Sequence, residues 1–207
     1  MRLLLRRPGD GWYNARMSEE LCKRAVDGLR RRGFEAVFVK TAAEAAELVM
    51  REAECAKSVG WGGSESVKAL GVRERLADLG KEIRDHELVM DLFLLSANAL
   101  TADGRIVNID GRGNRVAASI AGPKRVVYVI GRNKIVDGGI DAAIDRIKRE
   151  ACPPNCRRLN KKTPCAATGK CADCDSPDRI CKVTAIFDRR PTGISALAIV
   201  VDEDLGY

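Results

Sequence analysis

A single histidine, His86, stands in the 207 residues. No histidine-based triad and no two-histidine metal site can be built from this chain, and the commonest general base is missing. Aromatic residues make up only 4%, and none falls between Cys152 and Cys181, so the basic residues there have no ring on which to stack a base and a nucleic-acid interface is not expected. No apolar run approaches the ~20 residues of a membrane-spanning helix. The opening MRLLLRRPGDG is too short and too charged for a secretory signal, so a cytoplasmic protein is expected. Nucleotide-binding loops of the usual kinds are missing too. SVGWGGSESVKAL lacks the Lys-Ser/Thr pair of a Walker loop, and a dinucleotide fingerprint would need glycine where Glu65 stands.

What is present is an ordinary globular balance of 45% hydrophobic and 31% charged residues, read as one domain over 1–207. Thirty-six basic against 29 acidic residues give +7, interleaved rather than gathered in a tail, which favours an anionic small molecule as ligand.

Met17, Leu21, Ala25 and Leu29 recur at helical spacing between Asp10 and Arg32, and Gly33 follows as a stop. Ala36–Val39 reads as a strand, and Thr41 with Glu44 as a capping box opening a helix through Glu54. Lys57–Trp61 is strand-like and runs through Gly62-Gly63-Ser64 into a helical stretch at Glu65–Leu70. Further strands are expected at Leu79–Arg84, Asp91–Leu95 and Lys124–Ile130, a helix at Asp137–Arg149, and closing strands at Val183–Phe187 and Ile194–Val201. Alternating strands and helices imply an α/β fold with a mainly parallel sheet covered on both faces, three layers in all. Residues 151–182 hold four of the seven prolines and little periodicity, and read as a cysteine-rich loop insertion within the domain.

Two regions carry candidate chemistry. Gly62, Gly63 and Ser64 let backbone approach a phosphate or carboxylate closely, although a tight turn alone would also call for glycine. In Asp91–Val136, the residues Asn98, Asn108, Asp110, Asn114 and Arg115 fall at strand ends and at a helix start, where a parallel sheet forms its ligand crevice. Asp103-Gly104 reads as a hairpin turn. The second region has the spacing C-x3-C-x8-C-x5-C-x2-C-x6-C from Cys152 and Cys156 to Cys181. Four thiolates can enclose zinc or hold an iron–sulfur cluster; free or redox-active thiols are the competing reading. Cys22 and Cys55 read as small buried hydrophobes.

NALTADGRIVN, DGRGNRVAASIAGPKRVVYVIGRNKIV, TPCAATGKCADCDSPDRIC and the ending VDEDLGY together resemble the LUD family of lactate-utilisation proteins. The resemblance spans nearly the whole chain. It implies the fold shared by glucosamine-phosphate deaminase, ribose-phosphate isomerase and the coenzyme A transferases (NagB/RpiA/CoA-transferase-like). It further implies a part in a cytoplasmic system oxidising lactate, with iron–sulfur subunits as partners; association with a second copy of the chain is a further expectation. The string resembling the family contains Cys165, Cys171, Cys174 and Cys181, which are therefore the expected metal ligands, with Cys152 and Cys156 in reserve. Sugar-phosphate isomerases of this fold carry a proton-transferring aspartate in a segment resembling this one. Here Asn98 stands in its place, and an amide cannot serve as a base. The alternatives are a stand-alone enzyme acting on a sugar phosphate or acyl-coenzyme A, and a non-catalytic, zinc-stabilised scaffold or regulator.

Overall fold

The computed structural model describes residues 10–85 and 87–207, with backbone alone over 10–16; the opening segment up to residue 9 and His86 lie outside the described residues. Helix α1 (Asp10–Arg31) leads into β1 (Glu35–Val39), α2 (Ala42–Ala53) and β2 (Ser58–Trp61). Short helices α3 (Glu65–Lys68) and α4 (Val72–Asp78) precede β3 (Glu82–Ile83) and β4 (Leu92–Leu95). The hairpin of β5 (Ala99–Thr101) and β6 (Ile106–Asp110) is followed by α5 (Asn114–Ala118), β7 (Arg125–Gly131), a 3-10 turn at Arg132–Lys134 and β8 (Ile135–Val136). Helix α6 (Ile140–Arg146) continues through a π turn (Ile147–Ala151) into α7 (Cys152–Arg158). The short α8 (Pro164–Thr168), β9 (Val183–Phe187) and β10 (Ser195–Val201) complete the chain.

Six strands in the order β1-β10-β7-β4-β2-β3 form a sheet in which every neighbouring pair is parallel. Strand alternation explains the layers. In β10, Ala196, Ala198 and Val200 join the core beneath α1, whereas Leu197, Ile199 and Val201 join the one beneath α2, α3 and α4. The expected capping box opens α2, with Glu44 N–H donating to Thr41 Oγ1 at 3.2 Å and Lys40 N–H donating to Glu44 Oε2 at 2.7 Å. At the amino edge of the sheet Arg125 joins Glu35 at 2.6 Å and Glu52 at 2.8 Å, tying β7, β1 and α2 together. The opposite, carboxyl edge is left to the polar turns that follow β2, β4, β7 and β10.

Several sequence expectations change. A second sheet, β8-β5-β6-β9, lies between α1 and α6, with two antiparallel pairs and one parallel pair. The turn at Asp103-Gly104 joins its β5 and β6. Leu79–Arg84 supplies only the two-residue edge strand β3, and Leu79 ends α4 instead. The helix expected to stop at Arg149 runs on to Arg158, so the first part of the insertion is helical. Pro153 and Pro154 enter at the first turn of α7, directly after the wide π turn, where their missing N–H groups are tolerated. Met17 is exposed and drops out of the α1 stripe. Cys22 is fully buried, but Cys55 is exposed, because it follows the end of α2 and leaves the face that buries Val49 and Ala53.

Candidate functional site

Asp110, at the end of β6, organises the start of α5. Its carboxylate accepts N–H groups from Arg112 at 3.3 Å, Arg115 at 3.2 Å and Val116 at 3.4 Å, and pairs with Arg115 Nε at 3.4 Å. Burial alone would push its proton affinity up. The Arg115 charge and the converging N–H groups outweigh that and hold the carboxyl below its ordinary range. Asp110 is thus an ionised anchor rather than a free base. Asn98, after β4, interlocks with Asn108 of β6: Asn98 N–H donates to Asn108 Oδ1 at 2.8 Å, and Ile109 N–H donates to Asn98 Oδ1 at 2.9 Å.

These groups line one side of a cleft of about 590 Å³ whose other side is the cysteine-rich insertion. Of the residues expected from sequence, Gly62, Gly63, Asn98, Asp110, Asn114 and Arg115 reach it. Asn108 stands behind the wall, 2% exposed, and acts through Asn98. Ser64 caps α3, accepting from Val67 N–H at 3.4 Å. Since α3 has four residues and α5 five, neither supplies much of a helix dipole. The positive field comes from side chains: Arg112, Arg115, Arg158, Lys161, Arg179 and Lys182 all line the cleft, with Lys182 N–H donating to the Asp110 carbonyl at 3.0 Å. Arg115, Arg158 and Arg179 are paired with Asp110, Glu65 and Asp173. Among the described residues Arg112, Lys161 and Lys182 have no carboxylate within ion-pair distance.

A recess of about 30 Å³ opens off the cleft, sharing Gly63, Asn98, Arg115 and Asn155 with it and lined also by Ser96 and Lys134. Sequence reading passed over Lys134. It closes the 3-10 turn after β7 and is 4% exposed. Its ammonium donates to Ser66 Oγ at 2.7 Å and Ser96 Oγ at 3.1 Å, with no carboxylate at ion-pair distance among the described residues. Burial, with Arg146 and Arg115 nearby, brings its amine down to about 7.

All six cysteines of the insertion line one small pocket of about 20 Å³, beside Lys148 and Arg179. Cys152 and Cys181 are in sulfur contact at 3.2 Å. Hydrogen bonding with Cys152 lowers the Cys181 thiol to about 7, with Arg179 and Lys148 adding to the effect, while the Cys152 thiol is pushed up. The expected ligands Cys165, Cys171, Cys174 and Cys181 are therefore gathered on one pocket, and Cys152 and Cys156 join them. Among the described residues no three such side chains converge on one metal-sized point. Cys152, Arg179, Ile180 and Cys181 line the cleft as well, so the two cavities share a wall.

The LUD domain family model matches residues 22–201. The chain belongs to the LUD domain family. The fold agrees. The crystal structure of a DUF162 family protein from Deinococcus radiodurans superposes with a TM-score of 0.55 at 16% identity, covering 89% of this chain and 98% of that one. A search of curated proteins gives no match. The residues matched by the LUD model include both walls of the cleft, the whole cysteine cluster and every residue of the recess except Tyr207. Among the described residues no helix of this LUD protein is long and apolar enough to cross a membrane.

Proposed function

We propose that this LUD-domain protein binds an anionic small molecule in the cleft and works as a component of a cytoplasmic redox system of the lactate-utilisation type, with iron–sulfur subunits as its partners. The observation that carries the reading is a set of three cations, Arg112, Lys161 and Lys182, that line one cleft of about 590 Å³ and, among the described residues, have no carboxylate within ion-pair distance. Unpaired cations in a concave site attract and orient an anion, and the two walls belong to different parts of the chain.

The cysteine pocket is proposed to hold a thiolate-bound metal centre. Six soft donors in one pocket suit zinc or an iron–sulfur cluster. Lys148 and Arg179 beside them favour the thiolate form. Cys165, Cys171, Cys174 and Cys181 would hold the metal centre, and Cys152, in contact with Cys181, and Cys156 line the same pocket. The segment from Thr163 to Lys182 has little core of its own, so a metal would also stabilise it. When bound, a cluster would supply one-electron chemistry and zinc would supply structural cross-linking; either would sit behind the wall shared with the cleft.

Anaerobic purification with metal analysis and an absorption spectrum tests the metal. Stoichiometric iron and sulfide with broad visible absorption, or stoichiometric zinc, is the expected outcome, and a colourless, metal-free but folded protein overturns it. A thermal-shift series with inorganic phosphate and small carboxylates tests the cleft, where a rise in Tm that Arg112→Ala and Lys182→Ala abolish is expected. No shift with any anion would remove the cleft reading.

A further inference from the structure

Lys134 has a position that electrostatic binding alone does not explain. Four adjacent strands of the main sheet, β2, β4, β7 and β10, end around it: the turn after β2 leads to Ser66, the turn after β4 supplies Ser96, β7 delivers Lys134 itself, and the segment after β10 brings Leu205 and Tyr207. Burying an ammonium without a counter-ion is costly, and a structural lysine is ordinarily buried only with a carboxylate. Here the amine meets two hydroxyls, and its charged neighbours are Arg146 from α6 and Arg115 from α5, with Glu65 of α3 across the recess already paired with Arg158 at 3.6 Å. Arg146 is itself committed, donating to the carbonyls of Asn98 at 2.9 Å and Asn133 at 3.2 Å. The surroundings favour a neutral, nucleophilic amine facing the open recess.

Resting on the anion cleft proposed above, we propose that Lys134 is the reacting group of this site, adding to the carbonyl carbon of an anionic aldehyde, ketone or oxo acid whose negative group lies on the cleft cations. The lone pair of the neutral amine forms a C–N bond while the carbonyl oxygen takes a proton, giving a carbinolamine. Loss of that oxygen as water then gives an imine, and addition of water reverses the sequence. Both nitrogen protons end on that oxygen, the first in the carbinolamine and the second in the departing water, while Ser66 and Ser96, whose hydroxyls donate to the Leu205 and Ala97 carbonyls, accept from the nitrogen and hold it in place. A recess of about 30 Å³ accepts a carbonyl group and the departing water, but not the whole ligand, which is how the cleft selects the carbonyl end for the amine.

Pyridoxal phosphate, an aldehyde carrying a phosphate, serves as the reagent. The full-length protein is treated with substoichiometric reagent, reduced with borohydride, digested and mapped by mass spectrometry. Lys134 is expected to be labelled at least tenfold faster than the exposed Lys124, with the rate rising through about pH 7, inorganic phosphate protecting, and pyridoxal without its phosphate reacting more slowly. Labelling spread evenly over surface lysines, with Lys134 unmodified while phosphate still competes for the reagent, overturns the proposal and leaves the anion cleft standing. If phosphate neither binds nor protects, the cleft reading fails instead. Mapping the wild-type protein makes the result independent of whether Lys134→Met folds. Lys134→Arg, a guanidinium that stays protonated and cannot form the imine, should lose the label and keep the phosphate-induced rise in Tm.

Discussion

Cys152 and Cys181, 29 residues apart in the chain, bring their sulfurs to 3.2 Å. The contact joins the first turn of α7 to the last residues of the insertion, and both residues also line the cleft proposed to bind an anion. A change at these sulfurs, by metal binding or oxidation, therefore alters the wall against which a ligand rests.

Replacing either partner tests the proposed metal centre, whose occupancy in the wild-type protein is the reference. Cys152→Ser and Cys181→Ser each remove one of the two sulfurs already in contact, and a hydroxyl is a poor substitute for thiolate. Less than a tenth of the wild-type metal is expected after anaerobic purification, with a fall in Tm of several degrees. Cys55→Ser, at an exposed position outside the pocket, should retain full metal and serves as the control. Unchanged metal in both pocket variants would remove the site from this pair.

Gly62→Ala tests how tightly the cleft is built. A Cβ at position 62 would lie 2.3 Å from Arg115 Cγ, and Arg115 cannot swing away freely because Asp110 and the Ile109 carbonyl hold its guanidinium. Overpacking of this kind costs about 1–3 kcal/mol. Urea unfolding should show a loss in that range together with weaker phosphate binding, whereas Gly139→Ala, where an added Cβ meets nothing, should show neither.

Much of the main sheet was legible because its strands are short apolar runs ending in polar turns, as fully buried parallel strands must be. That same logic placed Asn98 and Arg115 at one crevice. Of the second sheet only β9 and the turn at Asp103-Gly104 were legible: β5 has three residues and β8 two, too few to show any periodicity. Pro153 and Pro154 read as breakers when in fact they sit at a helix start, so Cys152 and Cys156 looked like loop residues. Lys134 lies in GRNKIVD, which resembles a solvated turn. The signal that would have found it is its position directly after β7, where a lysine cannot remain on the surface once four strand ends close around it.

Lys134→Met should raise stability at neutral pH and lose that advantage in alkali. The amine falls from its ordinary 10.5 to about 7 in the fold, so between those values the unfolded chain holds a proton that the native state lacks, and stability rises with pH through that window. Below pH 7 the penalty is fully present; near pH 10.5 it is gone. Each unit is about 1.4 kcal/mol, and the hydrogen bonds to Ser66 and Ser96 offset part, so a gain on the order of 2 kcal/mol is expected at pH 7. Urea titrations of both proteins at pH 7 and pH 10 check it. A stability difference independent of pH would show that the amine is not perturbed.

Asp110→Asn should behave in the opposite sense. The wild-type carboxyl sits below its ordinary range in the fold, so its contribution is fully present above the unfolded value of about 4 and is lost as pH falls through the depressed folded value. An amide oxygen still accepts one or two of the three N–H groups, but it brings no charge to Arg115, whose side chain, 17% exposed, is left without its anion. A loss of about 2 kcal/mol is expected at pH 7, shrinking below pH 4. The freed Arg115 side chain then presents one more unpaired cation to the cleft. Phosphate should bind the variant at least as tightly as wild type while its fold is weaker, a divergence that separates the residue that anchors the helix from those that meet the ligand. Parallel loss of stability and phosphate affinity would instead place the Asp110 carboxylate in the binding surface itself.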